Sequence, residues 1–303
     1  MKSFRKMVSV EIQDENLSLV TGITYATVSS WYDATKRDMK MDLIIPKVRD
    51  ASRPRPLVVW ICGGGFMRMD RSVWLPELIR LARAGYSVAS VEYRTSNEGP
   101  FPMALCDVKA AIRYLKAHAA DFAIDPDRIF VMGESAGGTL ASLVGVTAGH
   151  KDFEVGDHLN QDSYVAGVVD FYGLVDFSGY VSDSEDGRML NLTTDTEDAP
   201  VPCWAMPAFI GTPISGKKIR QASAIIYVDH NTVPFMILHG ANDPLVSISQ
   251  SESLYDKLTE AGVYTEYYVL EGAVHGDQMF YQDEVFAYII DFMKKVETFD
   301  RQH

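Results

Sequence analysis

The sequence predicts an α/β protein with a mostly parallel central sheet and helices on both of its faces. Two observations carry this. Short runs rich in Val, Ile, Phe and Tyr alternate with segments of helical periodicity, the pattern of βαβ units. The composition, 47% hydrophobic and 23% charged, supplies a large core. α/β chains of about 300 residues often fold as one unit, so a single domain spanning 1–303 is expected.

The chain opens with strand-like pieces, "GITYATV" and "MKMDLIIP". The runs "PLVVWIC", "YSVASVEY", "RIFVMG", "YVAGVVDFYG", "PFMILHG" and "YTEYYVLEG" then read as buried strands. Between them, Leu105, Val108, Ile112 and Leu115 recur at helical spacing, as do Leu254, Leu258 and Ala261 before the stop signal Gly262. In "DEVFAYIIDFMKKVETF", Val285, Phe286, Ile289, Ile290, Met293 and Val296 share one stripe, so this last helix should dock on the body. Residues 176–232 are acidic, polar and broken by Gly and Pro. They read as a lid-like or pocket-wall excursion, with a plain solvated insertion as the alternative.

A formal net charge of −13 argues against nucleic acid or an anionic membrane as partner and leaves small molecules open. No apolar run reaches signal-peptide or transmembrane length, so a soluble, cytoplasmic protein is expected. Cys62, Cys106 and Cys203 are widely spaced without a Cys-x-x-Cys pair and read as free buried thiols. No zinc or nucleotide motif appears, so neither metal nor organic cofactor is expected. The N-terminal strands could pair between subunits, which leaves a homo-oligomer open.

The decisive motif is Gly133-Glu134-Ser135-Ala136-Gly137, between a predicted strand (Arg128 to Met132) and a predicted helix from about Ala136. Gly-x-Ser-x-Gly alone is a weak signal, arising by chance in about one chain in ten of this length. A strand before it and a helix after it make it a nucleophile elbow, whose strained turn lifts the serine hydroxyl above the sheet. A serine needs a histidine base and an acid that orients it, both downstream. Asp243 follows the strand "MILHG", and His275 follows the next strand, so both stand at carboxyl ends of the sheet, where open α/β folds build sites. Asp176 and Asp277 compete for the acid. His118, His150, His158, His230 and His303 lie on helices or polar connections, and His239 is better placed to bond its own loop.

The strand "VVWIC" runs straight into Gly63, Gly64 and Gly65. Bare backbone there costs order, yet it suits a tetrahedral oxyanion, which main-chain N–H groups can hold if side chains stay away. The expected donors are Gly64, Gly65 and Ala136, the last aided by the helix dipole. Phe66, Met67, Trp204 and Phe209 are the candidate substrate-binding residues, and Tyr172, Met206, Met279 and Phe280 also flank the predicted loops. Any of them singly could be ordinary core.

Taken in order, "CGGGF", "YRTSNEGPFPMALCDVKAAIRYLKAHAADFAIDPDRIFVMGESAGG", "HGANDPLV" and "VHGD" resemble the α/β-hydrolase esterases of the hormone-sensitive-lipase and acetyl-esterase/feruloyl-esterase kind, over residues 40 to 295. The resemblance implies an α/β-hydrolase fold, with the family's serine, acid and histidine on Ser135, Asp243 and His275 and its oxyanion glycines on Gly64 and Gly65. It departs at Cys62, where the family usually carries histidine. A small buried cysteine is the bland reading there, a catalytic thiol the sharp one. It departs again before residue 57, which is strand-like where many hormone-sensitive-lipase relatives carry a helical cap. That leans towards the acetyl- and feruloyl-esterase branch, whose substrates are often acylated plant-cell-wall sugars. The implied activity is a serine carboxylesterase for short-chain or small aromatic acyl esters. An amide hydrolase of the arylformamidase or peptidase type, or a non-catalytic binder, would be the alternative.

Overall fold

The computed structural model describes residues 3–30, 33–178 and 205–299. Its elements run β1 (Leu17–Ser30), β2 (Thr35–Pro46), β3 (Arg55–Ile61), α1 (Leu75–Arg83), β4 (Ser87–Val91), α2 (Met103–Ala117), α3 (Ala119–Phe122), β5 (Ile124–Glu134), α4 (Ala136–Val146), β6 (Gly167–Phe171), α5 (Ala205–Ile210), α6 (Gly216–Ala222), β7 (Phe235–Gly240), α7 (Ser249–Glu260), β8 (Thr265–Leu270) and α8 (Asp283–Phe299). The strands form one sheet in the order β1-β2-β4-β3-β5-β6-β7-β8. β1, β2 and β4 pair antiparallel, and every pair from β4 through β3 to β8 is parallel. This is the α/β-hydrolase fold, with each expected strand present.

β3 shows why the central strands are apolar at every position. Leu57, Val59 and Ile61 face one side, packed with Leu105 and Ile112 of α2 and Leu140 and Val144 of α4. Val58 and Trp60 face the other, against Leu78 and Leu81 of α1 and Phe286, Ile289 and Met293 of α8. Successive side chains alternate faces, and both faces are covered, so no position tolerates a polar residue. The α8 stripe docks as its spacing predicts, with Ile290 half-buried at its rim and Phe292 added to it. Helix α1 was not expected from the sequence, although its signals are present: Pro76 lies in the first turn and Gly85, at φ +103°, follows the end.

All eleven residues of α4 are buried, which makes it the central helix of the fold. Of the 176–232 excursion, the described part holds α5, α6 and a short 3-10 turn at Ala224–Tyr227. Residues 179–204, including Cys203 and Trp204, lie outside the described residues. No helix among the described residues is long and apolar enough to cross a membrane.

Candidate active site

β5 ends at Glu134 and α4 begins at Ala136, so Ser135 alone makes the turn, at φ 55° and ψ −120°. A positive φ on a residue with a Cβ is strained and needs support. The Ser135 N–H donates to the Phe171 carbonyl at 2.9 Å, and the Ser135 carbonyl accepts from the Thr139 N–H at 3.0 Å. The flanking glycines are required by proximity: a Cβ on Gly137 would strike the Ile61 carbonyl, and one on Gly133 the Gly137 carbonyl.

The two downstream loops reach this serine from the ends of β7 and β8. They are tied together by the Asn242 N–H, which donates to the Ala273 carbonyl at 3.0 Å. His275 Nε2 lies 2.9 Å from Ser135 Oγ, and its Nδ1 lies 2.7 Å from Asp243 Oδ2. Because a carboxylate only accepts, Nδ1 carries the ring proton and Nε2 is left facing the hydroxyl. Burial would raise the Asp243 carboxyl, but hydrogen bonds from His239 and His275, the charge of His275 and the Val246 amide hold it well below the usual range. His239 is fully buried, between the Ser251 hydroxyl at 2.6 Å and the Val246 carbonyl at 3.0 Å. It braces the acid's loop, the place its sequence position indicates. The competing carboxylates are occupied locally: Asp277 accepts from the Val274 and Met279 amides, and Asp176 from the Ser178 amide.

The glycine loop follows β3, beside the elbow at the end of its neighbour β5. Gly64 and Gly65 have φ of 123° and 60°, and the Gly64 carbonyl accepts from the Met67 and Arg68 amides at 3.1 Å. Among the described residues, the N–H groups of Gly64, Gly65 and Ala136 have no backbone acceptor. Gly65 and Ala136 line the cavity at Ser135, while Gly64 stands one residue further out and is exposed. Beneath the loop, Glu134 Oε1 accepts from the Gly63 amide at 2.5 Å and from Trp74 Nε1 at 3.3 Å. Burial pushes the Glu134 carboxyl up to about 7, against those two bonds and the His275 charge. Glu134 was not singled out from the sequence. Its signal was a charge closing the apolar run "RIFVMG", where it had to be buried. Cys62 points its thiol at Glu134, 3.9 Å away, and burial followed by the Glu134 charge pushes that thiol up to about 12. It stays protonated and does not line the cavity, which favours the bland reading of this cysteine.

The cavity at Ser135 has a volume of about 30 Å³, and Phe66, Thr139, Leu174, Met206, Leu245 and Val246 close it. Of the three expected substrate-binding residues that are described, only Phe66 borders it. Phe209 lies behind, stacked on Phe66 with ring centroids 3.9 Å apart. Met67 is half-buried, its main chain tied to Gly64 and Asn97, and is not part of the wall. Trp204 is outside the described residues. Leu174, Leu245 and Val246 were missed because they follow β6 and β7 in loops without an aromatic or glycine signal. Tyr172 sets its ring edge-on to His275, centroids 4.7 Å apart, with Phe280 behind it at 4.6 Å. Among the described residues, no group of three or more His, Cys, Asp or Glu side chains could hold a metal ion.

The BD-FAE family model matches residues 41–258, more than two thirds of the chain, from β3 through β7 and most of α7. The chain belongs to the BD-FAE family. Its similarity extends to LipM of Mycobacterium tuberculosis, named a probable carboxylic ester hydrolase, 30% identical over 72% of this chain and 49% of that protein. Esterase LipC of the same organism is 28% identical over 74% of this chain and 54% of its own length. The BD-FAE chain thus spans about half the length of the curated relatives it matches. Among solved structures, a truncated carbohydrate esterase from gut microbiota superposes with a TM-score of 0.75 at 26% identity, covering 95% of this chain and 99% of that one.

Proposed function

We propose that this protein is a serine carboxylesterase for short-chain acyl esters, acting through an acyl-enzyme. The observation that carries the reading is the unbroken line of hydrogen bonds from Asp243 through His275 to Ser135, opening on a small apolar cavity lined by Gly65 and Ala136. Esterase names among the relatives support the same class of activity.

In this reading Ser135 Oγ attacks the ester carbonyl carbon as its proton passes to His275 Nε2. The carbonyl electron pair moves onto oxygen, held by the N–H groups of Gly64, Gly65 and Ala136. Collapse of the intermediate breaks the bond to the alcohol, which leaves with the proton from His275. Water, deprotonated by the same nitrogen, then releases the acid and restores the serine. Asp243 keeps the ring in the tautomer these transfers need.

The acyl group belongs in the cavity. The leaving alcohol must stay within reach of His275, and His275 is not part of the cavity wall, whereas the oxyanion loop and the first turn of α4 are. A cavity of about 30 Å³ suits the methyl or ethyl of an acetyl or propionyl group. Met206 of α5 makes part of the excursion a pocket wall in this reading. For the alcohol side we favour an acetylated sugar, in line with the carbohydrate esterase named above.

The test is hydrolysis of p-nitrophenyl esters from acetate to decanoate, with Ser135→Ala alongside. Activity greatest at acetate or propionate and abolished by the substitution is expected. A mutant equal to wild type sinks the mechanism, and a wild type that cleaves the matching anilides but no ester makes it an amide hydrolase.

A further inference from the structure

The three glycines after β3 do not share one reason. Gly64 is bare because a Cβ would strike the Arg68 carbonyl. Gly63 is bare because Glu134 occupies the space: a Cβ there would lie 2.5 to 2.6 Å from both carboxylate oxygens and from the Glu134 carbonyl. The sheet creates this contact. β3 and β5 are parallel neighbours with Ile61 opposite Gly133, so the residue leaving β5 meets the chain leaving β3.

The contact is also directional. One oxygen of Glu134 takes the Gly63 amide at 2.5 Å, and the Trp74 indole approaches the same oxygen at 3.3 Å. Trp74 is itself stacked on Tyr281, centroids 4.1 Å apart, and the carboxyl is nearly excluded from water. A buried main-chain N–H left without an acceptor is costly, so this bond is held firmly. It joins the residue before the nucleophile to the residue before the proposed oxyanion donors. The spacing between Ser135 and the loop therefore passes through one side chain.

We propose that Glu134 is a positioning residue: by holding the Gly63 amide it fixes the glycine loop at the distance from Ser135 that oxyanion binding requires. The inference rests on the serine-esterase reading above. Because Glu134 touches neither the substrate nor the reacting atoms, what matters is an acceptor at the right reach rather than a charge.

Reach and charge are separated by two conservative variants. Glu134→Gln keeps an acceptor oxygen at the same distance and loses the charge. Glu134→Asp keeps the charge and withdraws it by one methylene. Each is compared with wild type and Ser135→Ala for kcat and KM on p-nitrophenyl acetate, for affinity towards a trifluoromethyl ketone that forms an oxyanion on the serine, and for thermal midpoint. Glu134→Gln should keep kcat within about threefold of wild type. Glu134→Asp should lose tenfold or more in kcat, with a parallel loss of ketone affinity and KM within about twofold, the signature of an interaction felt mainly in the transition state. The reverse order, equal losses in both variants, no loss in either, or a fall in kcat without a fall in ketone affinity would each overturn the proposal. Should Glu134→Asp not fold, Gly63→Ala, whose Cβ displaces the carboxyl, must give the same kcat and ketone pattern, and failure to do so overturns it equally. If wild type cleaves no ester, or Ser135→Ala matches it, the esterase reading has failed and takes this proposal with it.

Discussion

Asp243 divides its two carboxylate oxygens between different tasks. Oδ2 accepts from His275 Nδ1 at 2.7 Å, while Oδ1 accepts from the Leu245 and Val246 amides at 2.8 and 2.9 Å. One side chain thus builds its own loop and orients the ring on the neighbouring loop. Asp243→Asn can keep an acceptor for the loop amides but then turns an NH₂ donor towards Nδ1, which favours the wrong tautomer. We expect kcat on p-nitrophenyl acetate to fall by about 10⁴-fold, with a fall in the thermal midpoint as well, because the neutral amide lacks the carboxylate's interactions with His239 and His275. Asp243→Ala should lose the same activity and several degrees more, as read by turnover and melting on the same samples.

The same carboxylate shapes stability in acid. Its folded-state pKa is depressed, so its contribution is complete above the unfolded value of about 3.9 and is lost as pH falls through the folded value. Urea midpoints measured from pH 6 down to pH 3 should therefore fall less steeply in Asp243→Asn than in wild type. Parallel slopes would show that Asp243 is not held as described.

Gly137 is the glycine least open to change. A Cβ there meets the Ile61 and Cys62 main chain, and backbone atoms of a buried strand cannot swing aside as a flexible side chain can. Gly137→Ala should destabilise the fold by about 3 kcal/mol, the upper part of the range for overpacking. Alanine at Gly149, with open space around its Cβ position, should cost less, the strain of its φ of +76° only. Denaturant midpoints of the two variants make the comparison.

How far the sequence was legible follows from what kind of signal each element left. The central strands were readable because two covered faces leave uninterrupted apolar runs, and Ser135 and Asp243 because each stands where such a run stops. β8, expected to be buried, is an edge strand with half-buried and exposed residues, and His275 was legible only because it follows that strand. Helix α1 was overlooked beside the more conspicuous glycine loop, despite its proline and glycine at the two ends. The cavity wall was read poorly. Large apolar residues drew the prediction to Met67 and Phe209, yet the described wall is finished by Leu174, Leu245 and Val246, ordinary aliphatic residues whose role comes only from loop position. Phe209 does contribute, one layer back, by stacking on Phe66. Glu134 was hidden for another reason: the bond to Gly63 depends on the β3–β5 register, which no local pattern reveals.

The Glu134 carboxyl also leaves a mark on stability that is separate from its proposed positioning role. Burial lifts it from its ordinary 4.5 to about 7, so its contribution is present in full below pH 4.5 and is lost as pH rises through 7. At 1.36 kcal/mol per pH unit, the loss is about 3 kcal/mol by pH 8. Glu134→Gln cannot titrate, so its stability should decline less than that of wild type between pH 5 and pH 8. Asp170, raised from 3.8 to about 6 by burial, adds a slope of the same sign in both proteins and cancels in the comparison. Chemical denaturation across that range measures the difference, and identical profiles would mean that the carboxyl titrates like an exposed one.

Met206 is the wall residue that reports most directly on acyl specificity. It comes from α5, within the excursion, and lines the cavity together with Ala136 and Thr139 without bonding to Ser135, Asp243 or His275. Met206→Ala should leave hydrolysis of the acetate ester within a few-fold of wild type and lengthen the preferred acyl chain. Each methylene newly accommodated is worth about 0.8 kcal/mol, close to fourfold in kcat/KM, so butyrate, one methylene beyond the propionyl group the cavity already takes, should gain about fourfold relative to acetate. The ratio of the two esters, taken on one preparation, is insensitive to the fraction of active protein. An unchanged ratio would mean that the acyl chain leaves the site by another route and that the cavity beside Ser135 does not hold it.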